Sequence, residues 1–398
     1  MLDSSGIFRI VRDLCFAELS QSRRSAGHNQ CEVLDDFRLW GPSTWLLERH
    51  LEAGGHCLFL DSLERISITS SINQFFRLHE WGVEDNLLRQ KTLGDLAELV
   101  AQVLLEDEIP WQRLCLLSSG TTSEAKPTVH SREGLEQEVQ SWRQLLPEAR
   151  RVLSTIPCHH LYGLAWTVLW PTQAGLEIVD VRLWSPGRWR KEMRSGDVIV
   201  SFPLLWEQLL KSLDRIPEGV TGISSAGKLP EAVWQKAVDA GLSRMVEVYG
   251  STETGGVAFR EQPQVPFRLA PHWLERRSEF TELVPDRIKV LDAEHFYVLD
   301  RKDGAVKVAG NLVQFTEVER AIRDFSEVQD CRLRLGPGGA QARLEALIVT
   351  AEPSSRYAGL EQEISSHLAS RLPAAALPRR FSFVPELPFN GLGKVAGW

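Results

Sequence analysis

Long apolar runs are missing from this chain. None approaches the roughly 18 consecutive residues that a membrane-crossing helix needs, so no membrane span is expected. The opening MLDSSGIFRIVRDLCFAEL is broken by charges and is not expected to be a secretory leader. Closely paired cysteines are missing too. The six present, Cys15, Cys31, Cys57, Cys115, Cys158 and Cys331, lack metal-ligand spacing, and reduced thiols in a cytoplasmic protein are the expectation. There is no low-complexity tract and no internal repeat. Excess positive charge is absent as well: 45 Lys and Arg against 53 Asp and Glu leave a formal charge of −8, which argues against a nucleic-acid partner. One local exception is Arg188, Arg190, Lys191 and Arg194 around Trp189, either a solvated helix face or a docking patch for a polyanion.

What the chain does have is room. Its 398 residues suffice for two or three domains with real cores. From Trp111 to about Gly250, short apolar strands alternate with amphipathic helices, the pattern of an α/β fold whose parallel or mixed sheet is covered on both faces. Expected strands are Leu114–Ser118, Val152–Ile156, Glu177–Val181, Val198–Phe202, Val220–Ser224 and Met245–Tyr249. A helix entered at Ser131 carries Leu135, Val139, Trp142 and Leu146 on one face. Further helices are expected over Asp95–Leu105, Pro203–Leu213 and Pro230–Ala240, while most of the first 110 residues give little periodic signal. After Gly256 the texture becomes that of a compact α+β unit. A hairpin of Arg287–Leu291 and His295–Leu299 precedes the link Asp300–Gly304, and two helices and three strands follow. The expected division is a large domain over 1–302, of sheets sandwiched by helices, and a small mobile α+β domain over 303–398.

The segment Ser118–Lys126, SSGTTSEAK, leaves an apolar strand as a hydroxyl-rich, glycine-bearing loop that ends in lysine. Gly120 allows close backbone approach to an anion, Ser118, Ser119, Thr121 and Thr122 offer hydroxyls, and Lys126 adds positive charge. Such composition is also that of many solvated turns, and the Gly-Lys-Ser/Thr ending of a Walker loop is not there. Other strand ends repeat the theme: PCHHLYG delivers His160 and Gly163, SSAGKLP carries Ser225, Ala226 and Gly227, and VYGSTET presents Tyr249, Gly250, Ser251, Thr252 and Glu253. In open α/β sheets ligands sit outside the carboxyl ends of the strands, so these pieces can converge. Two later motifs are DRKDGAVKVAG at Asp300–Gly310 and LPFNGLGK at Leu387–Lys394.

Taken in this order and near these separations, the motifs resemble those of the adenylate-forming superfamily, which includes acyl- and aryl-CoA synthetases, carrier-protein ligases, peptide-synthetase adenylation domains and firefly luciferase. The resemblance runs from about Leu114 to the end. It implies that a carboxylate attacks the α-phosphorus of ATP, pyrophosphate leaves, and a pantetheine thiol, of coenzyme A or an acyl carrier protein, captures the acyl-adenylate. Such a displacement asks for alignment and charge stabilisation rather than covalent catalysis.

By the same resemblance, Ser118–Lys126 would hold the β- and γ-phosphates, Thr252 the α-phosphate, and Glu253 a Mg²⁺ ion. Tyr249 would stack on adenine, with Ser225, Ala226 and Gly227 as another wall, and Asp286 and Arg301 would take the ribose hydroxyls. Gly250 and Ser251 belong to the same nucleotide-binding turn. Lys394 would bridge carboxylate and α-phosphate, His160 would border the acyl pocket, and Asp303 would be the hinge between adenylation and thiolation. The substrate implied is a small carboxylic acid, aromatic or aliphatic. The compact build resembles stand-alone ligases of bacterial pigment and aryl-polyene pathways, which points toward a carrier protein that Arg188–Arg194 could receive. The chain also departs from the pattern, with Ser123-Glu124-Ala125, Pro127, Leu312 and Asn390 at positions usually filled otherwise. These departures motivate an alternative, a non-catalytic relic that binds nucleotide or acyl ligand as a regulatory or scaffold subunit. A third option, a kinase or ATPase, would release ADP.

Overall fold

The computed structural model describes residues 2–25, 37, 39–47, 56–105, 111–117, 127–302, 305–309, 311–338, 341–350 and 357–387. Their contacts divide into two compact units. The larger takes in the described residues up to Val284 together with Val290–Tyr297, and the smaller takes Pro285–Lys289 and the chain from Val298 onward.

In the larger unit, two short strands, β1 (Trp45–Leu47) and β2 (Cys57–Phe59), pair in parallel. A separate hairpin joins β3 (Arg113–Leu117) to β4 (Pro127–Ser131) antiparallel, with Leu114 opposite His130. The main sheet runs β6 (Glu177–Asp180), β5 (Arg151–Ser154), β7 (Asp197–Ser201), β8 (Thr221–Ser224) and β9 (Arg244–Ser251), all parallel. It continues antiparallel through β10 (Gly255–Arg260) and β11 (Phe267–Leu269). Between the strand expected at Leu114–Ser118 and the helix entered at Ser131 lies a further strand that the sequence reading did not include. Pro127 opens a strand, a position where its missing N–H costs no ladder bond, and only then does Ser131 cap the helix Arg132–Leu145, accepting from the Gly134 amide at 3.1 Å. The strand Arg113–Leu117 is therefore paired outside the main sheet.

Side chains alternate across the parallel strands, and each face meets its own core. Val152, Val198, Val200, Ile223, Val246 and Val248 join a cluster with Leu135, Val139 and Trp142, and with the helices Ser4–Ser25, Ser62–Phe76 and Leu93–Leu105. Leu153, Ile199 and Met245 join the opposite cluster with Trp206 and Leu210 of the helix Pro203–Ser212 and Val233, Trp234 and Ala237 of Glu231–Asp239. Coverage of both faces explains why the central strands read as apolar runs rather than alternations. The segment Ala165–Leu169 is π-helical and wholly buried, and Trp166 stacks on Trp142 with ring centroids 5.0 Å apart.

The smaller unit has the expected α+β composition. The chain passes between the units along β12 (Asp286–Val290) and β13 (His295–Arg301); His295 and Phe296, at the start of β13, belong to the larger unit and pair there with β11. Then come the antiparallel pair β14 (Val306–Val308) and β15 (Asn311–Val313). A three-stranded sheet joins β16 (Val328–Leu335), β17 (Leu344–Thr350) and β18 (Arg380–Val384), the last pair parallel. Val318 and Ile322 of the helix Phe315–Arg323 and Ile364 and Leu368 of Tyr357–Ala369 share its core with Leu344 and Ile348.

Candidate active site

At the end of β9 the chain reverses tightly into β10, and sequence dictates how. Gly250 lies so near the returning strand that a Cβ there would stand 2.1 Å from the Gly255 carbonyl oxygen. Gly255 itself has φ +75°, the left-handed region in which glycine avoids steric cost. Within the turn the Ser251 amide donates to the Thr254 hydroxyl at 3.1 Å, and the Thr254 amide to the Ser251 hydroxyl at 3.3 Å. Those bonds close the turn through its flanks and leave Thr252 half-exposed and Glu253 exposed at its tip.

Two outside groups brace this turn, and neither stood out in the sequence. His130 of β4 places its Nε2 2.7 Å from the Thr252 carbonyl oxygen. Glu138, buried on the helix Arg132–Leu145, accepts from the Gly256 amide at 2.9 Å and the Trp142 indole N–H at 3.1 Å. Burial raises the Glu138 carboxyl to about 7, although both donors pull it the other way. Glu138 precedes Trp142 by four residues, one helical turn, and so shares the core face, the one signal that could have marked it.

The SSAGKLP turn is fastened to the same strand. The Ser225 hydroxyl donates to the Val248 carbonyl at 2.8 Å, and Glu247 of β9 accepts from the Leu229 amide at 2.7 Å while paired with Arg260 at 2.6 Å. Ala226 adopts φ +63°, which strains a side-chain-bearing residue. Ser225, Ala226, Gly227 and Tyr249 thus belong to one braced corner of the larger unit. The Tyr249 ring is half-buried, with centroids 5.7 Å from Phe267 and 5.8 Å from Phe296.

After β5, the PCHHLYG loop turns on Gly163, where a Cβ would fall 1.9 Å from the Pro157 carbonyl oxygen. Its anchor comes from far upstream. Asp13, buried on the first helix, accepts from the Cys158 amide at 2.8 Å and from Arg182 at 2.6 Å. Arg182 also pairs with Asp180, which Arg12 meets at 2.6 Å, and both guanidiniums lie over the Phe37 ring. His159 is half-buried, and desolvation, with His160 and Arg182 nearby, holds it well below its ordinary pKa. His160 is exposed at the surface, and desolvation by the surrounding protein lowers its pKa while Asp13 opposes the shift. The Cys158 thiol beside them is buried and pushed well above its usual value, first by desolvation and then by Asp13.

In the smaller unit the Lys302 amide donates to the Pro285 carbonyl at 2.9 Å, which brings Asp286 and the backbone of Arg301 to one end of the β12–β13 hairpin. Ser118, Ser119, Gly120, Thr121, Thr122, Lys126, Asp303 and Lys394 lie outside the described residues, as does the Arg301 side chain. On the basic face, Arg194 pairs with Glu177 at 2.8 Å, Arg190 reaches the Ser212 carbonyl at 2.6 Å, and Arg188 lies over Trp184. Much of that charge is engaged within the molecule.

The main sheet is parallel from β6 to β9 and antiparallel beyond it, and hydroxyl-rich turns leave the ends of β8 and β9. Residues 106–314 match the family described as AMP-binding enzyme. A 4-coumarate–CoA ligase of Cereibacter sphaeroides is 36% identical over 352 residues, covering 86% of this chain and 84% of its own. One of Halorhodospira halophila is 34% identical over 407 residues, covering 99% of both. Among solved structures, an o-succinylbenzoate CoA synthetase of Bacillus subtilis has the same fold at TM-score 0.58 and 17% identity, over 79% of this chain and 72% of that one. A malonyl-CoA ligase does so at TM-score 0.53 and 20% identity, over 69% and 71%. The chain belongs to the AMP-binding enzyme family, and with it to the AMP-forming acid–thiol ligases. No helix among the described residues is long and apolar enough to cross a membrane.

Proposed function

We propose that this protein is an ATP-dependent ligase that adenylates an aromatic acid of the 4-coumarate kind and passes the acyl group to coenzyme A. The observation that carries this reading is the end-to-end likeness to the Halorhodospira halophila 4-coumarate–CoA ligase, 99% of both chains at 34% identity. It shifts the weight from a carrier protein to coenzyme A, and the internal pairing of Arg190 and Arg194 points the same way.

The roles follow from chemistry. The acid's carboxylate oxygen attacks the α-phosphorus, pyrophosphate departs, and the pantetheine sulfur then attacks the acyl carbon as AMP leaves. Thr252 and Glu253, at the exposed tip of a turn closed by its own flanks, are the groups offered to the α-phosphate and the metal. Among the described residues no group of three or more acidic, His or Cys side chains could cage a metal, and one carboxylate completed by phosphate oxygens suits Mg²⁺. When bound, that ion neutralises charge on the phosphates. Tyr249 supplies an aromatic face for adenine, Ser225–Gly227 a second wall, and Asp286 with Arg301 the ribose contacts. His160 borders the acid. Lys126 and the Ser118–Thr122 hydroxyls hold the outer phosphates, Lys394 bridges carboxylate and α-phosphate, and the 303–398 domain turns about Asp303 to exchange that lysine for the thiol.

Acid-dependent ATP–pyrophosphate exchange across aromatic and aliphatic acids, with AMP and thioester quantified, tests this. The expected result is exchange and CoA thioester formation with 4-coumarate, and loss of exchange in Lys394→Ala with ATP binding intact. Acylation of a carrier protein alone, turnover of long aliphatic acids alone, or release of ADP would overturn it.

A further inference from the structure

We propose that His130 is a positioning residue for the adenylation step: its imidazole ties the strand leaving the phosphate loop to the peptide joining Thr252 and Glu253, and so sets where the tip of that turn stands. The role rests on the reading of Thr252 and Glu253 given above.

β4 begins at Pro127, directly after Lys126, and its residues alternate between exposed and half-buried. That alternation turns His130 inward together with Thr128, while Val129 and Ser131 face out. The Nε2 atom then lies 2.7 Å from the Thr252 carbonyl oxygen, across 122 residues of sequence. A carbonyl has no proton to give, so Nε2 must carry one and donate. Desolvation lowers the pKa of this ring, against the pull of the Thr252 carbonyl and the Glu253 charge. The turn's internal bonds join Ser251 to Thr254 and bypass the Thr252 carbonyl. Without a donor at that oxygen the 252–253 peptide plane is free to rotate, carrying the Glu253 backbone with it. A misplacement of about 1 Å in such a site can cost on the order of 10²-fold in rate. The imidazole therefore couples β4 to the turn that presents Thr252 and Glu253.

Two substitutions separate donor from bulk. His130→Leu keeps the volume and removes the N–H, whereas His130→Gln returns an N–H at similar reach. In pyrophosphate exchange, His130→Leu should lower kcat/KM for ATP by about fivefold to tenfold, the worth of one hydrogen bond, with KM for the acid within about twofold of wild type. Transfer from a preformed acyl-adenylate to the thiol should be unchanged, and His130→Gln should recover most of the loss. A wild-type kcat/KM in His130→Leu overturns the proposal. So does a loss shared by ATP, acid and thiol steps, accompanied by a fall in Tm and not rescued by glutamine. Failure of the parent reading looks different: wild type then shows no acid-dependent exchange, or Glu253→Gln exchanges at the wild-type rate, and the proposal falls with it.

Discussion

The turn after β9 and the loop after β5 solve the same problem with different materials. Both end a parallel strand, and both are folded so tightly that one glycine is compulsory: Gly250 against the Gly255 carbonyl, Gly163 against the Pro157 carbonyl. They differ in what braces them. The β9 turn is held by an imidazole and by a buried carboxyl raised to about 7, both within reach of the neutral form near pH 7. The β5 loop is held by Asp13 within a network of two aspartates and two arginines whose formal charges cancel. If the Thr252–Glu253 tip meets a polyanion and a cation as proposed, it would gain from braces that add little fixed charge of their own. In the β5 loop the ions nearby neutralise one another.

The sharpest way to break this comparison is at the tip rather than the brace. Glu253→Gln should lower the rate of acid-dependent pyrophosphate release by about 10²–10³-fold while leaving the unfolding midpoint unchanged, since the side chain is exposed. Second, Asp13→Ala should cost about 2 kcal/mol in urea unfolding, because it leaves the Cys158 amide without its acceptor and takes from Arg182 one of its two carboxylate partners, and the double variant with Arg182→Ala should lose less than the sum. Third, Glu138 gives stability a pH dependence. Its folded carboxyl titrates at about 7, against about 4.3 unfolded, so between those values the folded state holds the extra proton and stability falls as pH rises. The loss should amount to about 2–3 kcal/mol by pH ~7. Glu138→Gln, which cannot titrate, should flatten that slope in denaturation curves taken across the range. The smallest effect belongs to Ala226→Gly. Relief of a left-handed alanine against the added chain entropy of glycine should change stability by about 1 kcal/mol or less, and a larger fall would mean that the Ala226 methyl is a packing contact.

The two loops also mark what sequence could reveal. The parallel strands and the helices around Leu135–Leu146, Pro203–Leu213 and Pro230–Ala240 were legible because apolar periodicity is local. So were the tips, since Tyr249–Glu253 and His160–Gly163 sit in short motifs at strand ends. The braces were not. Asp13 lies 145 residues from the amide it binds, and His130 lies 122 from its carbonyl. A buried carboxylate and a surface one look alike until the partner's position is known. The first helix, Ser4–Ser25, escaped for a related reason: Arg12 and Asp13 interrupt its apolar face, and only the network they form explains their presence there. β4 was missed because Pro127 reads as a breaker, although at the start of an edge strand it breaks nothing.

Cys158 has a further consequence. An enzyme that makes a mixed anhydride must keep its own nucleophiles from consuming it, and this chain carries a sulfur two residues from His160. The thiolate is the reactive form, and burial with a neighbouring aspartate holds this sulfur protonated and out of reach. If His160 borders the acid as proposed, this sulfur would not compete with the incoming thiol for the acyl group.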